Sequence, residues 1–477
     1  MKGIHISMAN GPSPVINKDL EGEFRSFLGL EGISTDELDL VTYGYDATRK
    51  NFPPSAVVWP VETAQISRIL RIASREGIPV YPRGSGSGMT GGALPVSGGI
   101  VLALERMNRI LDIDTENRTV TAQPGIFLGD LKKAVQEKGL FYPPDPASAK
   151  VASLGGTLAE SSGGLNCVKY GTTKDYVLSV EAVLPDGEII RLGSKSRKSV
   201  SGYNLLQLLI GSEGTLAVIT EATLRLIPYP EHRCTLLSRF GSVKDASRAV
   251  LDILNGPVVP SALEFMDRVS LECVSAYMGQ DRIPPCEAVL LVEADGFELD
   301  AVFRDAQVIG EICRRNGAET VRMATELQDR ESLWEIRRNL GPSMYQKAPF
   351  KFNEDISVPI AEFPTVLQEV YRIGAKHGVI VICFGHAGDG NIHVNFMSHT
   401  ESDPAVHRGI EEAFRLAVAR GGTLSGEHGI GITKAEFLPL EWGGREIELM
   451  RSVKRLFDPQ NILNPGKIFP EKKPGTS

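Results

Sequence analysis

Pro82-Arg83-Gly84-Ser85-Gly86-Ser87-Gly88-Met89-Thr90-Gly91-Gly92 follows directly on the apolar run Ile78-Pro79-Val80. Gly86, Gly88 and Gly91 formally satisfy Gly-x-Gly-x-x-Gly, the dinucleotide fingerprint. That fingerprint needs a helix to follow it. Here Gly92, Pro95, Gly98 and Gly99 come next, a density no helix tolerates. The residues suit instead a loop whose backbone amides wrap an anionic pyrophosphate, with serine hydroxyls adding donors. A flexible surface loop is the plain alternative.

Upstream, the pattern is a β-α-β unit: an apolar strand at Ala56 to Trp59, then a helix that Thr63 is placed to cap, with Ile66, Ile69, Leu70 and Ala73 on one face and Gly77 as its stop. Downstream, short strands at Ile100 to Leu104 and Val120 to Gln123 and a helix from Leu128 to Lys138 continue one α+β unit. A second loop runs from Pro143-Pro144-Asp145-Pro146 through Leu154-Gly155-Gly156-Thr157 to Ser161-Ser162-Gly163-Gly164, and Tyr170-Gly171-Thr172-Thr173 and Gly211-Ser212-Glu213-Gly214-Thr215 follow. Four small-residue loops within one unit imply one extended ligand, because linkers would separate units rather than recur inside one.

After Pro228 and Pro230 the texture changes. Strands at Ala288 to Glu293, Asp355 to Val358, Val379 to Phe384 and Ile392 to Phe396 alternate with helices near 299–316, 361–377 and 404–420, which suggests an antiparallel sheet backed by helices. The expected division is a helical lead-in over 1–50, a cofactor domain over 51–230, a substrate or cap domain over 231–425, and a segment over 426–477 that returns to the first domain.

With 477 residues the chain has room for roughly three domains of about 150 residues. Its 51 Lys and Arg against 59 Asp and Glu give a net charge of −8, which argues against nucleic acid as the main partner. The six cysteines are scattered without a Cys-x-x-Cys pair, so an iron–sulfur or Cys-type zinc site within the chain is not expected, and the thiols fit a reducing compartment. No signal peptide and no 18-residue apolar span is legible, so the expected location is the cytoplasm.

Six of the eight histidines lie between His377 and His428. In His386-Ala-Gly-Asp-Gly-Asn-Ile-His393-Val-Asn395, strand alternation puts Ile392, Val394 and Phe396 on one face and His393 and Asn395 on the other. With Glu427-His428 from a second glycine loop, two imidazoles and a carboxylate can converge, a frequent set for Zn, Fe or Mn with positions open for substrate. Paired strand histidines also occur as structural or surface groups.

Taken together, the runs PRGSGSG, GGTLAESSGGLNCVKYGTTKDYVLSVEAVLPDGE and IGSEGTLAVITEATLRL resemble the FAD-binding domain of the vanillyl-alcohol-oxidase/p-cresol-methylhydroxylase (PCMH-type) superfamily. GHAGDGNIHVNF, SGEHGIG and FDPQNILNPGK resemble its D-2-hydroxyacid branch, which holds D-lactate dehydrogenases, glycolate oxidase flavin subunits and D-2-hydroxyglutarate dehydrogenases. The likeness covers about residues 40 to 470 and implies an α+β fold, a PCMH-type FAD-binding domain with a cap domain whose antiparallel sheet is covered by helices.

By that resemblance Arg83, Gly84, Ser85, Gly86, Ser87, Gly88, Thr90 and Gly91 would hold the FAD pyrophosphate, and Pro144, Asp145, Ser153, Gly155, Gly156, Ser161 and Gly163 would line the cofactor further along. Glu213, Ile219 and Asn464 would complete the site. Some relatives attach FAD through a His where this chain has Ser87, so noncovalent FAD is implied. His386, His393 and Glu427 match metal ligands, Asn395 a substrate contact, His428 the catalytic base, and Arg337 the arginine that grips the substrate carboxylate, with Lys351 a second candidate. A guanidinium fork suits that task because it can bind a carboxylate bidentately. From residue type alone, Arg337 reads first as a solvated helix arginine beside Arg338. Gly341 stands where D-2-hydroxyglutarate dehydrogenases place a hydroxyl for a second carboxylate, which favours a monocarboxylate.

The implied reaction is oxidation of a D-2-hydroxy acid, D-lactate or glycolate, to the 2-oxo acid, with the metal lowering the hydroxyl pKa, His428 taking its proton and hydride passing to the flavin. Electrons would leave to an electron-transfer flavoprotein, an iron–sulfur subunit, a quinone or a cytochrome, with molecular oxygen a further candidate. The acceptor would place the protein peripherally at a membrane, and a homo-oligomer is compatible with the sequence. Competing readings are a D-2-hydroxyglutarate dehydrogenase, a metallohydrolase using the His/His/Glu set on a nucleotide, and a flavin carrier with a structural metal.

Overall fold

A computed structural model describes residues 16–279 and 284–470. Residues 1–15 of the lead-in and 471–477 of the C-terminal segment lie outside the described residues. The strands Ala56–Val58 and Val80–Arg83 both pair in parallel with Ile100–Ala103, which lies between them, and Ile33–Ser34 adds an antiparallel edge. Helix Thr63–Glu76 makes the crossover, burying Ile66, Ile69, Leu70, Ile72 and Ala73, and ends at Gly77 in the left-handed region, φ 66°. Thr63 does not cap this helix. Glu62 occupies the cap position, and the Thr63 hydroxyl donates instead to Glu181 Oε1 over 2.8 Å, a tertiary partner that local pattern could not reveal.

The glycine loop leaves Arg83 without forming a helix. A second sheet of five antiparallel strands, ordered Ile110–Asp114, Thr119–Ala122, Val218–Arg225, Val177–Val183, Ile189–Gly193, carries the later loops. One correction concerns the second small-residue stretch. Leu154–Glu160 is a helix, not loop: Ser153 Oγ accepts from the Gly156 amide, Leu154, Thr157 and Leu158 are buried, and Ser161 closes it in the left-handed region. Two glycines cost helix propensity, and burial of three side chains outweighs it.

The third sheet has seven antiparallel strands, ordered Ala318–Ala324, His232–Phe240, Ala288–Gly296, Ala262–Asp267, Ile380–His386, Asn391–Ser398, Phe350–Ser357. Helices Val243–Leu254, Leu299–Arg315, Phe363–His377 and Pro404–Ala419 contribute apolar side chains to the core on one face. The other face packs a second core with helices Arg268–Met278 and Leu327–Arg338. Three of these strands escaped the periodicity. His232–Phe240 carries Arg233 and Arg239, Ala262–Asp267 buries Glu264 and Asp267, and Ala318–Ala324 is a polar edge.

The C-terminal segment runs back to the first sheet. The Val80 amide donates to the Ile462 carbonyl and the Asn464 amide to the Val80 carbonyl, each over 2.7 Å, and Ile462 and Leu463 enter that sheet's core. Among the described residues no helix is long and apolar enough to cross a membrane.

Candidate active site

A cleft runs between the first two sheets and ends at the cap. Arg83, Gly84, Ser85, Gly86, Ser87 and Gly88 line one wall, Ser153, Gly155, Gly156, Glu213 and Ile219 another, and Glu427 and His428 close the end. Pro146 and Ser162 of the second small-residue stretch also line it, as do Ala147 and Ser148, which the sequence pattern does not single out. The remaining residues of the implied FAD set buttress these walls. Thr90 Oγ1 donates to the His428 carbonyl over 3.0 Å, and Asn464 Nδ2 donates to the carbonyls of Gly92 and Glu213 over 3.0 and 2.7 Å. Gly91 packs on Ile432, Lys132 Nζ donates to the Pro144 carbonyl and pairs with Asp145, and Gly163 lies against Cys167 and Glu427. Ser161 Oγ is buried and has no hydrogen-bond partner among the described residues.

The histidine cluster forms where the cap sheet meets this cleft. Register sets Glu264 opposite His386 and Phe384 opposite His393. His386 Nε2 and His393 Nε2 each lie 3.4 Å from Glu427 Oε1, and one ligand atom from each of the three falls within 4.8 Å of the others. The His386 and His393 rings meet edge to face, with centroids 5.2 Å apart, while His428 stacks on His393 at 5.3 Å.

Glu264 is a functional residue the sequence reading missed; the available signal was one carboxylate inside the apolar run Ala262-Leu263-Glu264-Phe265-Met266. It is fully buried, with Oε1 2.6 Å from His386 Nδ1 and Oε2 2.6 Å from Arg337 Nε. Burial would raise its carboxyl, but His386 and Arg337 outweigh burial and hold it down to about 2. Burial would lower the His386 imidazole, but Glu264 and Glu427 raise it well above its ordinary value, and because the ionised Glu264 only accepts, Nδ1 carries a proton. Buried His386 Nε2 has no hydrogen-bond partner. Glu427 is likewise held down to about 2 against burial, chiefly by His386, and burial lowers His393 to about 3, leaving it neutral. Neutral His393, His386 with its unpartnered Nε2 and ionised Glu427 make a donor set that fits a divalent cation, which would replace the Nε2 proton.

Around this set, Arg337 is buried against the face of Phe384, its Cζ 4.7 Å from the ring centroid, and its Nη2 has no partner. The solvated-helix reading of Arg337 is thereby overturned. Asn395 Nδ2 donates to the Ile382 and His393 carbonyls, leaving Oδ1 buried and unpartnered. His428 Nδ1 lies 3.2 Å from Asp355 Oδ1. Lys351 is half-buried beside Tyr345; its Nζ donates to the Gly341 carbonyl over 3.3 Å, and burial lowers it to about 8. His377 and His407 pair with Glu412 and Glu436 away from the cluster.

The family described as FAD linked oxidases, C-terminal domain, matches residues 229–468, and the family described as FAD binding domain matches residues 54–193. The chain belongs to the FAD-linked oxidases. It is 40% identical to the glycolate oxidase subunit GlcD of Bacillus subtilis, over 95% of this chain and 97% of that protein. It is 38% identical to the D-lactate dehydrogenase of Archaeoglobus fulgidus, over 89% of this chain and 95% of that protein. Among solved structures this FAD-linked oxidase is similar to 4-ethylphenol oxidase from Gulosibacter chungangensis (TM-score 0.76, 20% identity, 96% of this chain and 99% of that one). It is similar also to p-cresol methylhydroxylase (TM-score 0.75, 17% identity, 94% and 95%). The likeness to these structures shows the PCMH-type fold.

Proposed function

We propose that this FAD-linked oxidase converts a D-2-hydroxy monocarboxylate, D-lactate or glycolate, to its 2-oxo acid. The observation that carries the reading is that Glu427 and His428 close the same cleft that the glycine loop from Arg83 to Gly88 opens. The names of the relatives, glycolate oxidase and D-lactate dehydrogenase, support the substrate class.

When bound, FAD supplies the hydride acceptor, and a divalent cation (Zn, Fe or Mn) held by His386, His393 and Glu427 supplies positive charge that stabilises a deprotonated hydroxyl oxygen. Arg337 offers its unpartnered Nη2 to the substrate carboxylate, while its Nε stays tied to Glu264 and fixes the plane of the fork. His428 takes the hydroxyl proton at Nε2, since Nδ1 faces Asp355. Asn395 Oδ1 orients the substrate from the sheet face, and Lys351 adds a second cation. The Lys351 amine rests on the Gly341 carbonyl, and Gly341 brings no hydroxyl for a second carboxylate, which favours a monocarboxylate over 2-hydroxyglutarate. The reduced protein hands its electrons to a separate acceptor: an electron-transfer flavoprotein, an iron–sulfur subunit, a quinone or a cytochrome.

Anaerobic bleaching of the flavin by D-lactate, glycolate and D-2-hydroxyglutarate, with and without chelator, tests this reading. Rapid bleaching by either monocarboxylate, slowed by chelator, is expected. Yellow protein that none of the three bleaches overturns it.

A further inference from the structure

One buried carboxylate carries the whole loop that delivers Glu427 and His428. Asp355 sits on the cap strand Phe350–Ser357, fully buried and opposite His393 in register. Its Oδ2 accepts from the Glu427 amide over 2.7 Å and the His428 amide over 2.9 Å. Ser425 Oγ donates to both carboxylate oxygens, over 3.0 and 3.1 Å, and the Gly426 amide donates to the Asp355 carbonyl over 2.8 Å. Four consecutive residues, 425 to 428, are thus hung on one. Lys434, itself buried, balances the charge through Asp355 Oδ1 and donates to the Leu424 carbonyl over 2.9 Å.

The contact with the His428 ring goes beyond holding the loop. The two amide bonds would fix the backbone without it, yet Nδ1 comes to 3.2 Å from Oδ1, an ion-pair contact outside hydrogen-bond geometry that sets the ring beside the carboxylate.

We infer that Asp355 is a positioning residue that holds the His428 loop and sets the ring direction of His428 for proton removal. The inference rests on the reading above in which His428 is the base.

The test compares Asp355→Asn, Asp355→Glu, His428→Gln and the double variant Asp355→Asn/His428→Gln. Each is checked for bound flavin and metal and then reduced anaerobically by D-lactate across a concentration series. Asp355→Asn is expected to slow the limiting reduction rate by about 10²–10⁴-fold, the usual worth of a positioned base. The half-saturating D-lactate concentration is expected to stay little changed, because the carboxylate grip lies elsewhere. In the His428→Gln background the same change is expected to cost nothing more, since both remove one function. If Asp355→Asn loses flavin or metal, Asp355→Glu carries the comparison: it keeps the charge facing Lys434 while displacing the oxygens from Nδ1. A loaded Asp355 variant that reduces at the wild-type rate overturns the inference, as does a double variant in which the two costs multiply. If His428→Gln alone reduces at the wild-type rate, the base assignment itself falls, a result distinct from a slow His428→Gln beside a fast Asp355→Asn.

Discussion

His386 donates from Nδ1 to Glu264 Oε1 over 2.6 Å, across two strands whose register sets the residues directly opposite each other. The bond fixes which imidazole nitrogen faces His393 and Glu427, and the same carboxylate anchors Arg337. One side chain thereby orients both the proposed metal-binding set and the proposed substrate arginine. Glu264→Gln is expected to lower divalent-metal affinity about 10–100-fold, the usual cost of losing a partner of this kind. Metal content after dialysis against graded chelator reads the effect, and wild-type retention would count against this role.

Arg337→Lys should raise the half-saturating concentration of the hydroxy acid about 10–100-fold, matching about 1.5–3 kcal/mol for a charge-assisted hydrogen bond. A lysine ammonium is a point charge and cannot hold Glu264 through one nitrogen while offering a second to substrate. Steady-state kinetics check it; an unchanged KM would release Arg337 from the role.

Glu354 lies beside Asp355, buried, with Oε2 unpartnered and Lys434 Nζ 3.8 Å away. Burial, only partly offset by Lys434, pushes its carboxyl up to about 7. A carboxyl raised on folding binds more protons in the folded state between pH ~4.5 and ~7, so its contribution is present below that window and lost as pH rises through it. Glu354→Gln removes the titration. The variant is therefore expected to gain stability over the wild type as pH rises from 5 to 7, by about 3 kcal/mol at most. Thermal melts across that range measure the gap, and a constant gap would refute the assignment.

Gly429 follows His428 with φ +79°, and a Cβ there would sit 2.0 Å from Glu160 Oε2. Glu160 is buried, its carboxyl raised well above the usual range by burial first and by Glu213 next. Gly429→Ala must therefore strain the backbone and displace a buried acid whose Oε2 has no alternative partner. The expected phenotype is retained flavin with turnover reduced at least tenfold, since the loop that moves carries the proposed base. Flavin absorbance and turnover measured on one preparation check both halves.

The flavin should be held without a covalent bond. Ser87 stands in a loop free of His and Cys from Arg83 to Gly92, so no side chain there can attach the ring. Acid precipitation is expected to release the flavin into the supernatant; flavin remaining with the pellet would refute this.

Much of the fold was legible because its signals are local. Glycine density after Val80 excluded a dinucleotide helix, and the alternation of His393 and Asn395 against Ile392, Val394 and Phe396 placed two site residues on one face. The misses were residues whose state depends on partners far along the chain. Thr63 was expected to cap a helix and bonds Glu181 instead, 118 residues away. Leu154-Gly155-Gly156 looked like loop because helix propensity is a weak prior, overridden by burial.

The site divides the same way. Residue type and spacing by themselves determined that His386, His393 and the Glu427-His428 pair were candidates, since metal-binding and proton-accepting chemistry is carried by side-chain identity. Only the tertiary structure placed Glu264 and Asp355 against them. A carboxylate is ordinary in sequence, and it takes on a role when folding removes its water and leaves a histidine within about 3 Å.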